Sequence, residues 1–372
     1  MNPFSYGTIV KGEYFYDRQD ECSRIVSTLS GGNNIVLFAP RRYGKTSLVF
    51  RAIEKLEEKG FTCIYFDFMP VYSRESFIES YSKAIITKQS NLQRAVKLMA
   101  SLVKGIRPKI AFDPSGKPEF SMDFSDKIIS ENTLEEIIDL PSKMASVKSK
   151  YIVIFDEFQE ISKMNGENFE NLLRSKIQQQ QNVSYLFLGS RTHLLNDMFN
   201  NKSRAFYNSA MVMQLDALPE NETITYLKNR FALSNITIDD SSAKLIINQA
   251  GNIPYYIQLL AAEIWQHMIS TSSVVNDEII TSCAEKIIDL KNDYYLELYD
   301  KLTAYQKKLV RAIAENGENV FSADYASTYR LSATSTTQKA LTGILEQGII
   351  EKVNGVYFIG DPFFKRFISR YA

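Results

Sequence analysis

The amino-acid sequence predicts an α/β fold, a parallel sheet with helices on both faces, followed by a helical domain and then by a C-terminal unit in the order of a winged helix. Three observations carry this expectation. Short, nearly continuous apolar runs rich in β-branched and aromatic residues alternate with longer amphipathic stretches over residues 1–215, the pattern of buried parallel strands and crossover helices. From Leu218 to Leu290 the strand signals stop and helical periodicity takes over. After Asp293 three capped helical segments precede a hairpin signal.

Taken in order, the strands are expected at Ile35–Ala39, Thr62–Asp67, Tyr151–Phe155 and Val183–Leu188, with a helix over Thr46–Glu58 between the first two. Lys109–Phe124 breaks the rhythm: two alternating runs flank a Pro and Gly turn, which reads as an inserted β-hairpin. The domain boundaries are placed at 1–215, 216–292 and 293–372. In the last segment Thr303 caps a helix to Glu315, Ser322 one to Tyr329 and Ser332 one to Glu346. The run IIEKV, an Asn354-Gly355 turn and VYFI then form a hairpin, since Asn-Gly between alternating apolar runs supplies the left-handed residues a tight turn needs.

Composition bounds the chemistry. The chain has 372 residues, 45% of them hydrophobic, enough for more than one core. Its 43 basic and 43 acidic side chains cancel, so no global field draws it to nucleic acid or to an anionic membrane. The N-terminal run has no basic start with an apolar core, and the apolar runs are too short to span a bilayer, so a soluble cytoplasmic protein with no membrane contact is expected. Three cysteines, Cys22, Cys63 and Cys283, lack metal spacing and read as reduced core thiols. With two histidines, His193 and His267, histidine-rich metal sites and serine-histidine triads have little to work with.

The motifs give a more specific expectation. Ala39-Pro40-Arg41-Arg42-Tyr43-Gly44-Lys45-Thr46 follows a strand, opens a helix and keeps the Walker A spacing of a P-loop NTPase, with alanine where the first glycine is usual. In this reading the backbone from Ala39 to Ser47 cradles phosphate, Lys45 reaches the β and γ phosphates, and the Thr46 hydroxyl meets Mg2+. Ala39 would be strained if its position needs positive φ. Tyr151–Phe155 delivers two adjacent carboxylates to the edge where open α/β sheets bind ligands: Asp156 for the metal shell and Glu157 for the attacking water. A third strand ends in Gly189-Ser190-Arg191, where Ser190 could sense the water or γ-phosphate and Arg191 could stabilise charge, although an arginine there also fits a surface ion pair. Arg204 is a further candidate for the same charge-stabilising role.

Together APRRYGKTSL, FDEFQE, LGSR and QAGNIPYYIQLLA resemble the archaeal-type ATPases of the STAND class, within the AAA+ and origin-recognition kindred, from Tyr14 to Trp265. The resemblance implies that Lys45 and Thr46 bind phosphate and magnesium, that Asp156 and Glu157 serve metal and water, and that Pro254 in a helical lid lies beside the adenine of ATP or ADP. It also implies that the run Phe15–Glu21 helps enclose the base. A Tyr-Gly-Arg-Ala stretch usual in the family appears as Phe206-Tyr207-Asn208-Ser209-Ala210, with serine in the arginine's place.

The expectation is a Mg-dependent ATPase that acts as a nucleotide-controlled switch, its partner a protein or a second copy of the chain. The alternative is a DNA-binding module with a regulatory nucleotide site. From Lys301 onward ten Lys and Arg stand against six Asp and Glu, but the third helix of the winged unit offers only Lys339, with Arg330 just before it, so a regulatory or partner surface is favoured. No Asn-Lys-x-Asp is present to read guanine, and Glu157 suits water activation better than a phosphoacceptor pocket. The aromatic content of 12%, with runs such as DYYLELY, suits core packing better than base stacking.

Overall fold

The computed structural model describes residues 2–9, 18–89, 92–103, 106–112, 118–124, 131–145, 150–164, 167–190, 192–269, 274–353 and 355–370. They form two compact units: one of Gln19–Ala39 and Leu48–Gln214, the other of Met1–Arg18, Pro40–Ser47 and Leu215–Ala372.

The first unit runs through α1 (Gln19–Ser30), β1 (Ile35–Phe38), α2 (Lys45–Glu58), β2 (Thr62–Asp67), α3 (Arg74–Thr87), α4 (Leu92–Leu102), β3 (Ile106–Phe112) and β4 (Pro118–Phe124). It continues through α5 (Glu131–Ile138), α6 (Leu140–Met144), β5 (Tyr151–Asp156), a 3-10 turn (Phe158–Lys163), α7 (Glu167–Gln179), β6 (Val183–Gly189), α8 (Thr192–Asn200) and β7 (Met211–Gln214). Five strands make a wholly parallel sheet in the order β2-β5-β6-β1-β7. Every residue of β1, β5 and β6 is buried, which is why those strands read as continuous apolar runs. The expected inserted hairpin is present as antiparallel β3 and β4, beginning at Ile106; its turn lies outside the described residues. β7 was not expected, because it is only four residues long, with Met213 alone buried.

Many of the aromatic residues lie inside this unit. Phe66, Phe68, Phe77, Tyr81, Phe155, Phe158 and Phe187 are buried and meet at centroid separations between 4.7 and 6.0 Å, the range for edge and offset ring contacts. Core packing, not a stacking surface, accounts for them. Arg204 is held in ion pairs within this unit. Its guanidinium forms a two-point pair with the buried Glu170, at 2.6 and 3.2 Å, and a further contact with Asp197 at 2.6 Å.

The second unit contains α9 (Glu220–Ala232), α10 (Asp240–Gln249), α11 (Pro254–Met268), α12 (Asp277–Leu290), α13 (Asn292–Asp300), α14 (Ala304–Glu315), α15 (Ala323–Thr328), α16 (Thr334–Glu346), β8 (Ile350–Val353), β9 (Val356–Ile359) and α17 (Pro362–Arg370). Its C-terminal part is a winged helix: three helices, an antiparallel hairpin and a closing helix. Side-chain caps fix several starts. Thr303 forms a capping box with Gln306, and Ser322 accepts from the Tyr325 amide. Ser332 does not cap the third helix as expected. Ala333 is the N-cap, with no side-chain bond, and the Ser332 amide instead donates to the Tyr305 hydroxyl at 3.0 Å. Asn354 of the expected turn lies outside the described residues, while Val353 and Val356 pair on either side of it and Gly355 has φ 88°.

Cys22, Cys63 and Cys283 are buried free thiols, as expected. Among the described residues no helix is long and apolar enough to cross a membrane.

Candidate functional site

Because the strands of the sheet are parallel, the C-terminal ends of β1, β5 and β6 share one edge, with Phe38 in register with Gly189 and Phe155 with Phe187. Asp156 closes β5 and is buried, Oδ1 accepting the Glu157 amide at 2.9 Å and Oδ2 accepting the Tyr65 hydroxyl. Burial, then the negative charge of Asp156 and its hydrogen bond, push the Tyr65 phenol far above its ordinary range, so it stays protonated and serves as a donor.

Glu157 is the residue at which the chain leaves the strand. It sits in the left-handed region at φ 47° and ψ 43°, an uncommon place for a long side chain and one found where a side chain must be re-aimed. Its Oε2 accepts from the Ser190 hydroxyl at 2.9 Å, from the Ser190 amide at 3.4 Å and from Gln159 Nε2 at 2.5 Å. Gln159 is buried against Gly189: a Cβ on that glycine would lie 2.0 Å from Gln159 Oε1 and 2.4 Å from Leu195 Cδ1. A side chain at the end of β6 would therefore push both of them aside. Motif reading singled out Glu157 and Ser190, but gave no role to Gln159 or Tyr65, whose contacts depend on the packing of neighbouring elements.

The phosphate-loop candidates lie in the second unit from Pro40 to Ser47, joined by chain continuity to the end of β1 and the body of α2. Positive φ falls at Arg42 (71°) and Gly44 (81°), and Ala39 is not strained in that sense, so the expected difficulty at the first position does not arise. Left-handed residues thus stand on either side of Tyr43, a backbone feature also found in anion-binding nests. Lys45 is buried, Thr46 and Ser47 are half-buried, and all three lie in the first turn of α2, where the helix dipole favours an anion.

Three parts of the second unit hold this loop. Arg18 Nη2, the described end of the N-terminal run, donates to the Tyr43 carbonyl at 3.3 Å and to the Asp216 carbonyl at 2.6 Å. Pro254 occupies the first turn of α11, and the amide of the following Tyr255 donates to the Arg42 carbonyl at 3.4 Å. From the winged helix, Asp361 Oδ2 lies 3.5 Å from Arg42 Nη1. Burial, with the charges of Glu351 and Asp216, pushes the Tyr43 phenol up to about 12. Arg41 and Arg42, expected among the cofactor-binding residues, have exposed side chains, and that of Arg42 is turned to the winged helix and α11.

Arg191, and Phe15, Tyr16 and Asp17 of the N-terminal run, lie outside the described residues. Ser209, in the place of the family's arginine, donates to the Phe206 carbonyl at 2.7 Å.

Residues 15–260 match a family described as an ATPase domain predominantly from Archaea, and residues 293–370 match one described as a probable winged helix domain. Among solved structures, a Walker-type ATPase of Pyrococcus abyssi superposes with a TM-score of 0.66 at 17% identity, covering 99% of both chains. The Aeropyrum pernix ORC2 protein, solved as ADPNP and ADP complexes, gives a TM-score of 0.58 at 13% identity, over 98% of this chain and 96% of that one. The ORC1 protein of the same organism, solved with DNA, gives 0.50 at 13% identity, over 96% and 94%. No curated protein matches the chain.

Proposed function

This chain belongs to the family of ATPase domains found predominantly in Archaea, and from that premise we propose that it is a Mg-dependent ATPase of the STAND class, working as a nucleotide-controlled switch. The observation that carries the hydrolytic part is Glu157, whose carboxylate is held by Ser190 and Gln159 at the sheet edge, just beyond the buried Asp156. A carboxylate aimed by fixed donors is suited to orient and deprotonate a water.

The loop follows β1 directly in sequence and runs into α2. Lys45 would take the β and γ phosphates, with Ser190 and Arg191 answering to the γ-phosphate and Pro254 lining the base. Magnesium suits this donor set, because the Thr46 hydroxyl and the Asp156 carboxylate are hard oxygen ligands. When bound, the ion would neutralise charge on the phosphates.

The test compares ATP turnover and binding in the wild type, Lys45→Ala and Glu157→Gln. The reading requires that Lys45→Ala lose nucleotide affinity and that Glu157→Gln bind ATP without hydrolysing it. A Lys45→Ala protein that binds and hydrolyses ATP normally sinks it. Native mass with ADP and with a non-hydrolysable ATP analogue would detect a second copy of the chain as the switched partner.

A second reading rests on the winged helix, where Lys307, Lys308 and Arg311 share a hollow with Tyr299, Tyr329 and Glu315, Lys307 pairs with Asp300 at 3.0 Å, and Lys308 bonds the Arg330 carbonyl. Such a basic cluster suits phosphate contacts on DNA. Retention on duplex DNA that falls with salt, and is lost on changing Arg330 and Lys339 to alanine, would favour this reading over a partner surface.

A further inference from the structure

The phosphate loop of this chain carries an arginine in a conformation that favours glycine. Arg42 has φ 71°, a region in which a side chain with a β-carbon is crowded against its own carbonyl. Gly44 takes a similar φ without that penalty. With glycine at both places the left-handed conformations would carry no strain; with Arg42 the strain is offset by what the arginine side chain touches.

Those contacts come from two helical elements far along the chain. Asp361 Oδ2 lies 3.5 Å from Arg42 Nη1, and the guanidinium lies 5.1 and 4.9 Å from the ring centroids of Tyr255 and Tyr256, within cation–π range. Asp361 is itself fixed. Its Oδ1 accepts the Phe363 and Phe364 amides at 3.0 and 3.2 Å as the N-terminal cap of α17, and its Oδ2 accepts the Tyr295 hydroxyl at 3.1 Å. The winged helix meets the neighbouring arginine as well. The Arg41 amide hydrogen-bonds Glu351, and a Cβ on Gly348 would lie 2.8 Å from Arg41 Nη1, so the turn before β8 leaves room for that side chain.

We propose that Asp361 is a positioning residue of the phosphate loop, holding Arg42 in the left-handed conformation that the loop needs to receive nucleotide phosphate. The proposal rests on the nucleotide-binding reading above: the Asp361–Arg42 contact and bound nucleotide strengthen each other, because each favours the same loop conformation.

The experiment measures ADP affinity of the full chain by calorimetry in two backgrounds. Asp361→Asn removes the charge and keeps the cap of α17, since asparagine caps as well as aspartate, so the melting temperature should hardly change. Against Arg42 it should weaken ADP by about fivefold, the upper worth of a partly exposed ion pair. Against Arg42→Gly, where the conformation no longer depends on a side chain, the same change should cost less than roughly twofold. An equal loss in both backgrounds, no loss in either, or tighter binding overturns the proposal. If the wild type takes up no ADP, the nucleotide reading fails separately. The positioning role is then read from hydrogen exchange over residues 40–47 of the nucleotide-free chain: Asp361→Asn should accelerate it, and unchanged exchange overturns the role.

Discussion

The hydroxyl of Ser190 donates to Glu157 Oε2 across 2.9 Å, joining the end of β6 to the first residue beyond β5. With Gln159 on the same oxygen, Glu157 has its orientation set before any substrate arrives. Glu157→Gln should therefore lower turnover by about 10²–10⁴-fold while ATP still binds. Ser190→Ala removes one neutral donor, an effect of about 1 kcal/mol, and should lower turnover by roughly fivefold with little change in KM. Phosphate-release kinetics decide it, and a Ser190→Ala enzyme with an altered KM and an intact kcat would contradict an orienting role.

Gly189→Ala adds a methyl group where Gln159 Oε1 and Leu195 Cδ1 already stand, at 2.0 and 2.4 Å. Overpacking of this kind costs about 1–3 kcal/mol. The same displacement moves Gln159 off Glu157, so stability and turnover should fall together. Adding Gln159→Ala should recover part of the melting temperature but not the turnover. A Gly189→Ala protein as stable and active as the wild type would refute the crowding.

Much of this was legible in the sequence, and the limits have physical reasons. β5 announces itself because all six of its residues are buried, and the loop because a lysine and a hydroxyl must follow Gly44 at fixed spacing. β7 gives no such signal, with Val212 exposed and Met213 buried over only four residues. α17 carries a local signal as well, Asp361-Pro362 before an amphipathic run. The left-handed residue of the loop is a subtler case. Motif spacing directs attention to Ala39, whereas backbone geometry puts positive φ at Arg42, which no local pattern suggests. Its partner Asp361 lies 319 residues away, and a contact so remote leaves no periodicity to read.

Arg204 gives a prediction of the opposite kind, a large effect on stability with none on the nucleotide. Glu170 is 3% exposed, so removing its two-point partner leaves a buried carboxylate uncompensated. Arg204→Met should cost about 3–5 kcal/mol, and Arg204→Met combined with Glu170→Leu should recover most of it. Denaturant unfolding measures both. ADP affinity should stay at the wild-type value in the double variant; a loss there would return Arg204 to the nucleotide site.

Glu351 makes the winged helix sensitive to pH. Burial raises its carboxyl from 4.5 to about 7, against the opposing pull of the Arg41 amide and the Arg41 and Arg42 guanidinium groups. A raised carboxylate pKa means that between those two values the native state holds a proton which the unfolded chain has released. Stability is thus present below 4.5 and lost as pH rises through 7. Glu351→Gln keeps an acceptor for the Arg41 amide and removes the titration, so wild type and variant should differ little at pH 4. Above pH 7 the variant should be the more stable by up to about 3 kcal/mol. Paired melting curves from pH 4 to 8 test the sign directly: an advantage for the variant that does not vary with pH would show that the Glu351 carboxyl is not the titrating group.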